Sequence, residues 1–268
     1  MDALQLAKSG TLAAGLGIPA GLPDEMRVCS EHGRYMARHL IRKIWTDCPL
    51  CSARKKAARI HEERLQQQRD AERQWQLVFR QANIPHRFAD RHLDHFIAHS
   101  PEQQLVKCFA EQFAAQFSDP EMGRSAIFSG GFGTGKTHLA VGVALQIMQD
   151  YAKTALYQTV RQMVRRVRDT WHPDAVETET AAMLALLKPD LLIIDELGLA
   201  EASHLERAIL FDVLHERYAQ RRSVLLLTHL HQEACRDYLG ERTFDRLRED
   251  GGQFVAFIGS SYRGNVAA

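Results

Sequence analysis

Short apolar runs punctuate the second half of the chain at Ser125–Ser129, Thr154–Thr159, Asp190–Ile194, Ser223–Thr228 and Phe254–Gly259. Each reads as a strand. The aliphatic run from Leu191 to Ile194 lacks polar alternation, which predicts burial on both faces, as in a parallel sheet. Helical patterns lie between and before these runs. Ser52 to Gln81 is dense in Ala, Arg, Glu, Gln and Lys with no glycine or proline, and predicts one long helix. Its apolar residues gather near the C-terminal end, at Trp75, Leu77, Val78 and Phe79, so the middle, Glu62 to Gln74, is expected to be exposed. Pro85 stops it. Pro101 to Phe117 reads as an amphipathic helix with Leu105, Cys108, Phe109, Phe113 and Phe117 toward a core. A helix carrying Arg161, Arg165, Arg166 and Arg168 follows the second strand.

Residues 1–26 have no sustained period and contain glycine and proline, which predicts a mobile arm. The expected organisation is this arm, a small cysteine-bearing module at 27–52, a helical connector at 53–82 and a larger α/β domain at 83–268. A length of 268 residues and 45% hydrophobic content suit one sizeable domain with an appendage. No stretch approaches the apolar length of a membrane span, and the expectation is a soluble cytoplasmic protein without membrane contact. The net charge of +1 decides nothing about nucleic acid.

Local chemistry is more telling. Gly130-Gly131-Phe132-Gly133-Thr134-Gly135-Lys136-Thr137 joins the first strand to the stretch His138–Leu145, which reads as a helix. Strand, glycine loop and helix meet the full Gly-x4-Gly-Lys-Thr pattern for a nucleoside triphosphate such as ATP. Backbone N–H groups cradle phosphates, Lys136 reaches the β and γ phosphates, and Thr137 holds Mg²⁺. The run ending in Asp195-Glu196 places two carboxylates at the ligand-binding edge of such a sheet. Asp195 is expected to orient Mg²⁺ or its water, and Glu196 to polarise the attacking water of an ATPase.

Five cysteines, an odd number, do not make a disulfide framework. Cys29-x2-His32 and Cys48-x2-Cys51 form two half-sites that suit tetrahedral Zn²⁺, with His39 as a reserve ligand. Arg27, Arg34, Arg38, Arg42, Lys43, Arg54, Lys55, Lys56 and Arg59 surround them, with Tyr35 and Trp45 interleaved. A phosphate-binding surface with base stacking and a merely solvated face are both compatible with that pattern.

Together with Gly240–Leu247 and Ser261-Tyr262-Arg263, these motifs resemble the DnaC-like helicase loaders, which with the IstB-like transposition helpers belong to the AAA+ ATPases. The zinc-bearing start is similar to phage- and prophage-type members. The resemblance implies a five-stranded parallel sheet flanked by helices, and homo-oligomers on ATP and DNA that share ATP sites between subunits. It implies Arg246 as the arginine finger, with Arg242 in reserve, and Arg263 as a sensor arginine within its own subunit. His229 stands where many relatives carry an asparagine sensor, and the closure of the nucleotide is expected to rely on the partner subunit. The implied function is ATP-dependent loading of a hexameric, DnaB-type replicative helicase onto single-stranded DNA. The alternatives are an IstB-like helper of transposition on duplex DNA, and a zinc adaptor whose nucleotide hardly turns over.

Overall fold

A computed structural model describes residues 23–41, 44–117, 124–199, 203–259 and 261. Most of the expected arm, Arg42, Lys43, Tyr262 and Arg263 lie outside the described residues. The chain divides into two units, Met1–Arg73 and Gln74–Ala268, and the division falls inside one helix.

In the first unit β1 (Glu25–Cys29) pairs antiparallel with β2 (Gly33–Ala37), and β3 (His39–Ile41) with β4 (Ile44–Trp45). These strands were not expected from the sequence. The first hairpin closes with Cys29 opposite Gly33, whose φ of 76° is a left-handed value that glycine takes without a Cβ penalty. Helix α1 runs over Pro49–Gln81. It starts at Pro49 rather than Ser52, because proline suits the first helical position, and so takes Cys51 into its first turn. The polar middle of α1 is exposed apart from half-buried Leu65.

The second unit is built on β5 (Ala126–Gly130), β6 (Ala155–Thr159), β7 (Leu191–Leu197), β8 (Ser223–Thr228) and β9 (Gln253–Phe257). They form one parallel sheet in the order β6-β7-β8-β5-β9. Its helices are α2 (Pro101–Ala115), α3 (Lys136–Tyr151), α4 (Val160–Asp169), α5 (Glu179–Leu187), α6 (His204–Ala219), α7 (Gln232–Leu239) and α8 (Glu241–Arg246). Strand residues alternate between two cores. Phe128, Ile193, Leu225 and Leu227 pack with α2, α3 and the end of α1; Ile127, Leu192, Ile194 and Leu226 pack with α4 to α8. Covering both faces is what the unbroken apolar runs require.

One expected face is corrected. In α2 the buried residues are Val106, Ala110, Phe113 and Ala114, while Leu105 is 72% exposed and Cys108 only half-buried. Phe109 and Phe117 do pack against the core. Each residue turns the helix by about 100°, so a seam centred on 106, 110 and 113 carries Leu105 outward. Among the described residues no helix is long and apolar enough to cross a membrane.

Candidate functional site

Residues 131–135 connect β5 to α3. Gly133 and Gly135 have φ of 77° and 94°, and a Cβ there would lie 2.0 Å from Ser261 Oγ and 2.5 Å from the Phe96 ring, respectively. Glycine is therefore required both by the backbone and by the space. Gly135 also precedes the first turn of α3 and has no side chain to cap it. The backbone donors of that turn, at the positive end of the helix dipole, are left for an anion. Lys136 Nζ donates to the carbonyls of Gly130 and Gly131, 2.7 Å each, which holds the ammonium over the loop. Thr134 Oγ1 donates to Gly131 O at 2.9 Å.

The sheet order sets β8 between β5 and β7, so the acid pair ends one strand away from the glycine loop. Thr137 Oγ1 donates to Asp195 Oδ2 at 3.0 Å, and Tyr157 Oη donates to the same oxygen at 2.7 Å. The Glu196 N–H donates to Asp195 Oδ1 at 2.7 Å. Burial, then the negative charge of Asp195, drives the Tyr157 phenol far above its usual range, so it remains a donor. A hydroxyl beside an oriented carboxylate is donor chemistry that fits Mg²⁺, which fills its other positions with phosphate oxygens and water. Glu196 has φ of 64°, a left-handed value that costs a non-glycine residue about 1 kcal/mol or more. Its exposed side chain borders a cavity of about 510 Å³ shared with Arg161, Arg165, Arg168 and Glu206.

A second cavity, of about 400 Å³, is lined by Gly133 to His138 on one side and by Phe88, Arg91, His95, Phe96, Ile97 and His99 on the other. The wall is apolar and aromatic with polar edges, next to an anion site, and suits a flat base. Sequence reasoning missed these residues, having used this stretch only as the stop of the long helix. The available signal was the density of rings between Pro85 and Ser100 in a segment with neither helical nor strand period. His138 belongs to the same wall, with its Nε2 3.0 Å from the His92 carbonyl and its ring edge-on to Phe96. Burial lowers its pKa and keeps it neutral, more than the His92 carbonyl raises it.

His229 directly follows β8 and is exposed, with its ring stacked on Phe132 of the glycine loop. Arg246 is not among the residues lining either cavity. Its guanidinium is 2.5 Å from His215 Nδ1 and lies over the Tyr218 ring, both on α6. Arg242 is exposed on α8. Arg263 lies outside the described residues, whereas Ser261, in the same short motif, lies against Gly133. On α4, Arg165 pairs with Asp169 and Arg166 forms a bidentate pair with Glu177.

In the first unit the donor atoms of Cys29, His32, Cys48 and Cys51 all lie within 4.8 Å of one another. His32 Nδ1 is 3.6, 3.8 and 3.3 Å from the sulfurs of Cys29, Cys48 and Cys51, and the sulfurs of Cys29 and Cys51 are 3.5 Å apart. Zn–S bonds of about 2.3 Å and Zn–N bonds of about 2.0 Å at tetrahedral angles give edges of about 3.5–3.8 Å, so the four groups fit Zn²⁺. A hydrogen bond from the Glu31 backbone and then His32 draw the Cys29 thiol down to about 6, while the hydrogen bond with Cys29 pushes the neighbouring Cys51 thiol up to about 11, so Cys29 is the sulfur of this pair that ionises first. His39 is elsewhere, edge-on to Trp45. The basic island is partly neutralised within the module: Arg54 pairs with Glu31, Lys55 with Asp47, and Arg27 lies 4.2 Å from the centroid of the Trp45 ring.

Residues 53–265 match the family of IstB-like ATP binding proteins. The chain is 34% identical over 139 residues to the protein YdaV of Escherichia coli (strain K12), covering 52% of this chain and 55% of that protein. It is 32% identical over 167 residues, 62% of this chain and 66% of that protein, to the replicative helicase loader DnaC of Buchnera aphidicola subsp. Schizaphis graminum. These matches thus span between about half and two thirds of the relatives' own lengths. Among solved structures, the crystal structure of the DnaC helicase loader superposes with a TM-score of 0.58 at 22% identity, over 64% of this chain and 99% of that one. The two chains share the fold of the five-stranded parallel sheet with its flanking helices.

Proposed function

The chain belongs to the IstB-like ATP binding protein family, and on that premise we propose that it is an ATP-dependent loader of a hexameric, DnaB-type replicative helicase. The carrying observation is the oriented group Lys136, Thr137 and Asp195 beside an uncapped helix N-terminus, in a chain similar to a replicative helicase loader. The backbone N–H groups of the loop from Gly130 to Thr137 and the Lys136 ammonium hold the ATP phosphates, Thr137 and Asp195 hold Mg²⁺, Glu196 activates water, and His229 senses the γ phosphate. Arg246 acts on the ATP of a neighbouring copy in a homo-oligomer, with its present contacts on α6 as the resting position, and Arg263 acts within its own subunit. Developing charge on the transferred phosphoryl group is what such arginines offset.

The arm, zinc module (27–52) and connector (53–82) engage the helicase, and the ATPase domain (83–268) grips single-stranded DNA. Cys29, His32, Cys48 and Cys51 carry Zn²⁺, which supplies folding energy to a module with little apolar core. ATP works as a switch: it favours the assembled, DNA-gripping state, and hydrolysis favours release, because the two nucleotide states have different affinities.

Size-exclusion chromatography with the host's replicative helicase in ATP, in ADP and with Lys136→Ala tests this. A shared peak whose stability depends on nucleotide is expected. Its absence under every condition would replace the loader with the transposition helper. Metal analysis of the purified chain tests the zinc assignment separately, with about one equivalent of zinc expected for a tetrahedral site.

A further inference from the structure

The proposed role of His229 raises the question of what aims its ring. Its backbone is held on both sides. Thr228 Oγ1 donates to Leu197 O at 2.8 Å and accepts from the Leu230 N–H at 3.0 Å, while Ser129 Oγ donates to Leu230 O at 2.6 Å. Gly198 adds a close approach, since a Cβ there would lie 2.5 Å from Leu230 Cδ1. Residues 228–230 are therefore tied to the end of the acid-bearing strand β7 on one side and to β5, which feeds the glycine loop, on the other. With the backbone fixed, the remaining freedom of His229 is its side-chain torsions.

Phe132 lies beside that side chain. It sits in the glycine loop between Gly131 and Gly133, and its ring lies 5.8 Å from the His229 ring, centroid to centroid, at an interplanar angle of 19°. It is 67% exposed and is not part of either hydrophobic core. A large aromatic side chain so placed contributes little to folding. Among the described residues its ring stacks on the imidazole.

We propose that Phe132 is a positioning residue for ATP hydrolysis, holding the His229 imidazole toward the γ-phosphate side of the glycine loop. The inference rests on the reading of His229 as the γ-phosphate sensor. It also gives a physical reason for a bulky aromatic in a loop whose backbone must wrap a ligand: the loop that binds the phosphates also aims the group that reads them. An aromatic pair of this kind restrains its rings by an amount equivalent to about a two- to tenfold change in a rate constant.

The test is steady-state ATP hydrolysis by the full chain with Phe132→Ala, Phe132→Tyr, His229→Ala and the Phe132→Ala/His229→Ala double variant. Phe132→Ala is expected to lower kcat about two- to tenfold with KM for ATP unchanged. Phe132→Tyr should stay near the parent, and Phe132→Ala should add nothing in the His229→Ala background. A loss expressed in KM, or full additivity of the two alanine variants, would overturn the proposal. If His229→Ala leaves kcat unchanged while Phe132→Ala lowers it, the sensor reading of His229 fails and the proposal with it. Should the chain alone turn over too slowly to compare, proton NMR decides. The His229 ring protons should show an upfield ring-current shift that Phe132→Ala removes and Phe132→Tyr retains, and a His229 resonance indifferent to Phe132 would refute the pairing.

Discussion

Replacing Arg217 by methionine should destabilise the second unit severely, although the residue is remote from both cavities. Arg217 lies on α6 and is completely buried. Its Nη1 donates to the carbonyls of Leu186, Leu187 and Pro189 at 2.9, 3.1 and 2.9 Å. Its Nη2 donates to Asp190 O at 3.1 Å and Ser223 O at 2.7 Å. The first two acceptors are the last residues of α5, whose carbonyls have no partner within their own helix. Pro189 and Asp190 lead into β7 and Ser223 starts β8, so one guanidinium fastens a helix end to the beginnings of two inner strands. Burial lowers its pKa to about 9, which still leaves it charged at neutral pH. Methionine matches the length of the stem but supplies no donor. Hydrogen bonds to a charged group contribute about 1.5–3 kcal/mol each, and part of their sum is offset because a buried cation no longer has to be desolvated. A net loss of about 4 kcal/mol follows for acceptors left without their ion. For a domain of this size that lowers the melting temperature by about 8–16 °C. Arg217→Lys should fall between, since one ammonium cannot reach five carbonyls in a fork. Scanning calorimetry of the full chain measures this, and a methionine variant melting within about 2 °C of the parent would refute the stapling role.

Other perturbations test the site's framework. Gly142→Ala raises helix propensity in α3, yet the added Cβ would lie 2.6 Å from Leu93 Cδ2 and 3.1 Å from the Arg91 carbonyl. Overpacking should win, giving a lower melting temperature and, because Arg91 lines the base-sized cavity, weaker ATP binding by calorimetric titration. Tyr157→Phe removes one of the donors that orient Asp195, and the Mg²⁺ concentration for half-maximal ATP hydrolysis should rise about tenfold; an unchanged value would mean that Thr137 and the Glu196 N–H suffice. Asp190 is pushed upward by burial, but hydrogen bonds from the Thr154 N–H and hydroxyl, with Lys153 and Arg222, outweigh this and depress its pKa. Its stabilisation is therefore complete above the unfolded carboxylate value of about 3.9 and fades as pH falls through the lower folded value. In denaturant titrations Asp190→Asn should be less stable at pH 7 and converge on the parent in acid, whereas a constant gap down to the lowest pH would argue that the carboxylate charge is irrelevant.

What was legible in the sequence follows from how far each residue reaches. The glycine loop works through consecutive backbone N–H groups and the following helix, so one continuous segment carries the signal. The runs ending in Asp195 and Thr228 were legible because burial on both faces removes polar alternation. Arg217 was not, because its acceptors are up to 31 residues away and are main-chain carbonyls, which leave no trace in side-chain identity. Tyr157 likewise looks like any strand aromatic until the sheet order sets β6 beside β7 and brings its hydroxyl to an oxygen 38 residues on. The phase error in α2 has a related origin: Leu105 and Val106 are equally apolar, and the neighbours that choose the buried seam are distant in sequence. The four strands near Cys29 escaped for a further reason. The hairpin of β1 and β2 buries little apolar surface, so it does not show the alternation that a core demands: Met26, Val28 and Met36 remain more than half exposed. The Cys29, His32, Cys48 and Cys51 spacing was nonetheless readable across that gap, because a tetrahedral ion admits few ligand types and favours two close pairs. Chemistry that dictates residue identity can thus be read over long separations. Contacts to the backbone of a distant element become readable only once the fold brings them together.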